Sequence, residues 1–185
     1  MSPSLRRLYA LWYQPGREMG PGWWGTLKLP EWQEPYVQQP LVRPALNRLI
    51  ASRLGHGRSI PEMSPAAEAL LMDERRDLLC VALGLWASGC LEYLVLQRYR
   101  EALSSVLDRR ALGQLLVLMP LSSVCEAQLG PDELLEGARR CGLAWLGSSN
   151  DPAVLACRLL WEPVSPERNG RGAPEAVLEK LLRWL

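Results

Sequence analysis

Apolar residues recur three and four positions apart along most of the chain, the spacing of helices with one buried face. Leu46, Leu49, Ile50 and Leu54 keep this spacing behind Pro44, a residue suited to a first turn, and Gly55 stops the run. Ser64-Pro65 reads as an N-cap and first-turn pair. The helix it opens is expected to continue through Ala69, Leu70 and the charged Asp73-Glu74-Arg75-Arg76 into an apolar run over residues 78–91. Gly89 is expected to break or kink it before residues 91–100. Asp108 is placed to cap a helix carrying Leu112, Leu115, Leu116 and Leu118 that ends at Pro120. Gly130-Pro131-Asp132-Glu133 is the next start signal, its acids suited to the positive end of a helix dipole. That helix presents Leu134, Leu135, Ala138, Cys141, Ala144 and Trp145. Asp151-Pro152 opens a short helix to Trp161, residues 162–174 read as a polar loop, and residues 175–185 form an amphipathic helix. No alternating run of any length is present, although residues 8–13 and 154–161 are also compatible with extended chain. The expected fold class is therefore all-α or mostly α, a compact helical domain open to a bilobed arrangement.

The first 40 residues break this pattern. They hold Pro3, Pro15, Pro21, Pro30, Pro35 and Pro40 with four glycines between them, a density that argues against long helices. They also hold Trp12, Trp23, Trp24 and Trp32, whereas disordered segments are poor in aromatics. Residues 1–40 are thus expected to be irregular but ordered, packed onto a helical domain of residues 41–185. The indoles are read first as packing against that domain, with a docking surface as the alternative, which makes Trp23 and Trp24 candidates for partner binding.

Length and charge narrow the classes. A chain of 185 residues buries a core without disulfides or metals, covering roughly 70% of the surface its unfolded form exposes. Twenty-one basic residues face 20 acidic ones, so there is no strong basic field for nucleic acid or an anionic membrane. The uncharged run at 78–91 is shorter than the ~20 residues that span a bilayer, and it reads as a buried core helix without membrane insertion. The N-terminal stretch carries Arg6 and Arg7 but no small-residue cleavage site, unlike a signal peptide. Cys80, Cys90, Cys125, Cys141 and Cys157 are odd in number and form no C-x-x-C pair, and are expected to be reduced core residues of a cytosolic protein.

Candidate chemistry is sparse. The single histidine, His56, sits between Gly55 and Gly57 and reads as a solvated loop residue rather than a catalytic base. Neither a zinc spacing nor a phosphate-binding glycine loop is present. Asp73 with Glu74 and Asp132 with Glu133 are sequence neighbours, which point apart on a helix. No catalytic, cofactor-binding or metal-binding residue is expected. Arginine pairs recur at helix edges, at Arg6-Arg7, Arg75-Arg76, Arg109-Arg110 and Arg139-Arg140. They are either solvated faces or surfaces matched to an acidic partner. Arg75, Arg76, Arg109 and Arg110 join Trp23 and Trp24 as the protein-binding candidates.

An ordered set of segments carries a resemblance. It runs from Leu29-Pro30-Glu31-Trp32 through Ala45-Leu46-Asn47-Arg48-Leu49 to the run Leu78-Leu79-Cys80-Val81-Ala82-Leu83-Gly84-Leu85. Val106-Leu107-Asp108, Leu112-Gly113-Gln114-Leu115-Leu116-Val117, Gly142-Leu143-Ala144-Trp145-Leu146 and Ala156-Cys157-Arg158-Leu159 follow. In this order they resemble the K subunit of type III secretion systems in its Ysc-type form, over about residues 29–161, with the first 25 residues and the 162–174 loop matching weakly. The resemblance implies a non-enzymatic adaptor of the injectisome sorting platform without cofactor, at the cytoplasmic face of the inner-membrane base. The implied partners are the cytoplasmic, forkhead-associated-like domain of the inner-membrane ring protein, the D subunit, and the pods of the Q subunit. Two rival readings are a secretion chaperone or regulator holding an exported protein, and an enzyme with an unrecognised site. Such chaperones are usually acidic, whereas this chain is neutral and rich in tryptophan.

Overall fold

The computed structural model describes residues 2–119, 127–167 and 172–185. Among them the regular structure is helical and there is no strand, so the fold is mostly α. In chain order the helices are α1 (Pro3–Tyr13), α2 (Pro15–Glu18), α3 (Gly22–Thr26), α4 (Gln33–Gln38), α5 (Arg43–Leu54) and α6 (Pro65–Leu71). They continue with α7 (Asp73–Ser88), α8 (Glu92–Val95), α9 (Gln97–Leu103), α10 (Arg109–Leu118), α11 (Pro131–Leu146), α12 (Pro152–Cys157) and α13 (Pro174–Trp184). Short 3-10 turns at Pro30–Trp32, Pro40–Val42 and Arg158–Leu160 join some of them. Both stretches compatible with extended chain are helical, in α1 and in α12 with its following turn.

Residues 2–40 are more regular than expected, and the reason lies in where the prolines sit. Pro3, Pro15, Pro30 and Pro40 occupy first or second helical positions, as do Pro44, Pro131, Pro152 and Pro174 later in the chain. A first-turn N–H has no intrahelical partner, so proline loses nothing there and its fixed φ suits the helix. Ser2 completes the start of α1 by accepting a hydrogen bond from the Leu5 N–H at 3.2 Å. The prolines therefore keep these helices short without preventing them.

Other local signals behave as the chemistry demands. Asp108 caps α10 through the Ala111 N–H at 2.7 Å, and Asp151 caps α12 through the Ala153 N–H at 2.8 Å. Ser64 accepts from the Ala67 N–H at 3.1 Å at the start of α6. Gly55 and Gly89 end α5 and α7 in the left-handed region, at φ 74° and 64°, where a Cβ is strained. One expectation fails: the helix opened at Pro65 does not run into the apolar segment. It stops at Leu71, and Met72 is extended at ψ 117°. Asp73 and Glu74 then fall in the first turn of a new helix, where their charges favour its positive end. A second break at Leu96 separates α8 from α9. The expected helix end at Pro120 lies outside the described residues, α10 having ended at Leu118.

The chain divides into two compact units, Met1–Leu71 with Asp151–Pro163, and Met72–Asn150 with Val164–Leu185. In the first unit α1 packs on α2, α5, α6 and α12, around the fully buried Leu8, Leu11, Ile50 and Leu70. In the second, α7 and α11 form the most extensive helix pair, with α9 and α13 also against α11. Leu79, Leu83, Leu85, Leu134 and Trp145 are buried there. Cys80, Cys90 and Cys157 are buried thiols and Cys141 is a half-buried one, whereas Cys125 lies outside the described residues.

Candidate protein-binding surfaces

The sequence candidates separate into two groups. Trp23 and Trp24 are buried, which favours packing over docking for both. The Trp23 Nε1–H donates to the Trp161 carbonyl at 2.7 Å, and the Arg158 guanidinium lies over its ring at 5.8 Å. The Trp24 ring meets that of Tyr36 at 5.4 Å. Both indoles are thus spent on the interior of the first unit. Trp12 is buried as well, and only Trp32 among the first four tryptophans is exposed, at 40%.

The arginines stay at the surface of the second unit. Arg75 is exposed in the first turn of α7, and Arg76 is half-buried with an ion pair to Asp73 at 2.9 Å. Arg109 and Arg110 are both exposed at the start of α10, in a first turn that holds no acid. Two cations at the positive end of a helix oppose its dipole. Arg109 also lines an open groove of about 830 Å³ with Arg100, Glu101, Asp108 and Leu112. Val117, further along α10, is 84% exposed.

His56 is not the solvated loop residue expected. Its ring stacks on Trp12 with centroids 4.1 Å apart and planes 4° from parallel. Nδ1 lies 3.1 Å from the Trp12 carbonyl, which fixes the proton on that nitrogen because a carbonyl only accepts. Trp12 Nε1 in turn donates to the Gly57 carbonyl at 3.1 Å. Burial pulls the His56 pKa below its usual 6.5, partly offset by the bond to Trp12. The arrangement closes the loop after α5 onto α1. Among the described residues no three His, Cys, Asp or Glu side chains group to hold a metal, and no helix is long and apolar enough to cross a membrane.

A surface absent from the sequence candidates appears in the first unit. Residues of α2, α4 and α5 line a second open groove of about 830 Å³ that includes Arg17, Arg43, Arg48 and Asn47. Its members come from positions 13 to 48 and share no motif, so only the packing of α2 on α5 reveals them. The one local hint was Arg43 beside Pro44 at a helix start.

No curated protein matches the chain, and no solved structure matches it. A family described as "Type III secretion system subunit" matches residues 6–163, reaching further toward the N-terminus than the resemblance read over residues 29–161 and spanning parts of both compact units. With most of its length matched, the chain belongs to this family of type III secretion system subunits.

Proposed function

We propose that this subunit is a non-enzymatic adaptor of the sorting platform, of the K-subunit type. It joins the cytoplasmic domain of the inner-membrane ring protein, the D subunit, to the Q-subunit pods at the cytoplasmic face of the injectisome base. The observation that carries this reading is the family match across both compact units, each of which bears its own arginine-lined open groove. An adaptor needs two separate binding surfaces, and charge on each sets orientation and encounter rate. Arg109 and Arg110 are the better candidates in the second unit. Both are exposed, whereas Arg76 is half-buried and engaged with Asp73.

The test measures binding of the purified chain to the two partner domains, singly and together. Both are expected to bind at once, without competing. R109E/R110E is expected to weaken one contact by about tenfold, corresponding to about 1.4 kcal/mol, and to leave the other unchanged. The affected contact weakens as salt is raised. Binding to neither partner, together with normal secretion in a deletion strain, overturns the adaptor reading.

A further inference from the structure

The charged side chains lining the groove of the first unit are all arginines, and two of its polar groups, Arg43 and Asn47, are held in place in advance. Asn47 is only 7% exposed, and its Oδ1 accepts from the Gly16 N–H at 3.1 Å and from the Tyr36 hydroxyl at 3.2 Å. Both partners are donors, so the oxygen must face them, and the Nδ2 hydrogens are left for the groove that Asn47 lines. Arg43 donates from Nε to the Tyr36 carbonyl and from Nη2 to the Val37 carbonyl, each at 2.8 Å. Those carbonyls lie near the end of α4, where a cation is favoured. The same guanidinium lies 5.7 Å from the Tyr36 ring centroid. Arg43, Tyr36 and Asn47 therefore hold one another, and the remaining Arg43 donors lose little freedom on binding.

Arg48 is exposed on the wall, where its Nε donates to the Pro44 carbonyl at 3.3 Å. The Arg17 side chain is 72% exposed and makes a long ion pair with Glu18 at 3.8 Å. Among the described residues no carboxylate lines the groove. Tyr13 and Val37 supply an apolar margin, with Val37 66% exposed. Three guanidiniums and a carboxamide donor match a ligand that only accepts, and carboxylates are such groups.

We propose that this groove docks an acidic segment of another protein, its carboxylates on Arg17, Arg43, Arg48 and Asn47 Nδ2, with an apolar side chain against Tyr13 and Val37. The chain as a whole carries a net charge of only +1, so the attraction is local to the groove and not that of a nucleic-acid-binding field. The assignment rests on the groove alone and does not require that the partner be a secretion component.

The test uses the full chain and short labelled peptides alternating glutamate with leucine, set against peptides with glutamine for glutamate and against a single-stranded oligonucleotide. The glutamate peptide is expected to bind at least about tenfold more tightly than the glutamine peptide, and to lose affinity with salt. R17E/R48E is expected to remove that preference while the circular dichroism spectrum is unchanged. Asn47→Asp keeps an oxygen for Gly16 and Tyr36 but exchanges the groove's donor for an acceptor, so it weakens the glutamate peptide several-fold and spares the glutamine one. The R109E/R110E protein is expected to bind the peptide as the unaltered chain does. Equal binding of the two peptides, no binding, an unchanged preference in folded R17E/R48E, or stronger binding of the oligonucleotide each overturns the proposal.

Discussion

In the second unit the central helices meet backbone to backbone, whereas in the first they are held by rings with a polar end. A Cβ on Gly84 of α7 would run into the Ala138 carbonyl oxygen of α11, and one on Gly142 into the Cys80 carbonyl oxygen. The two 16-residue helices thus approach as closely as their backbones permit, and large side chains such as Leu79, Leu83 and Leu134 fill in around the contact. Among the described residues the first unit shows no such pair. Its helices are short and most carry a proline in the first turn, and they are fastened by Trp12 to Gly57, Trp23 to Trp161 and Tyr36 to Asn47. An aromatic ring covers a large apolar area and still satisfies a loop carbonyl, so it can order chain that has few helical hydrogen bonds of its own. A close helix crossing tolerates no added volume, whereas a ring-fastened loop tolerates volume but not loss of its donor.

The largest effect should come from breaking the crossing. Gly84→Val places branched carbons against the backbone of α11, which cannot rotate away as a side chain does. It is expected to destabilise by about 4 kcal/mol, the upper end for a point change, with amide protection lost across α7 and α11 in hydrogen exchange. A protected α7 in that variant would show that the helices can separate without cost.

Removing a donor from the first unit should cost less. Trp23→Phe keeps an aromatic ring but deletes the Nε1 bond to the Trp161 carbonyl. The expected loss is about 1–2 kcal/mol in urea unfolding, with faster exchange around α3 and residues 158–161. A loss as large as that at Gly84 would mean that ring volume, and not the donor, holds this region.

The smallest effect is on pH dependence. Burial lowers the His56 pKa from 6.5, so the folded chain holds the proton less well than the unfolded one. Stability is therefore full above pH 6.5, falls as the pH drops below that value, and levels off once the pH is below the folded pKa. His56→Gln should remove this decline, measured as the unfolding midpoint against pH. An identical slope in both proteins would show that other groups carry it.

What the sequence determined by itself was local. Ser64, Asp108 and Asp151 cap helices because a side-chain oxygen two or three residues before an N–H reaches it whatever the rest of the chain does. Gly55 and Gly89 end helices for an equally local reason, the left-handed φ. The helical class followed from periodicity, and the link to type III secretion from an ordered series of such segments, which the family match bears out. The same local rule was available for Pro3, Pro15, Pro30 and Pro40, but read as a cluster they suggested irregular chain.

Only the tertiary structure decided what each face meets. Gly84 and Gly142 are ordinary glycines in sequence and become the crossing point because α7 and α11 pack together. Trp23 and Trp24 leave docking open beside packing until Trp161 and Tyr36 are placed against them. Asn47 lies 31 residues from Gly16, and its amide direction, which turns the neighbouring groove toward acids, depends on both Gly16 and Tyr36 being near. Capping geometry is closed within one turn of chain, but burial and hydrogen-bond direction depend on groups far apart in sequence, and only folding brings those together.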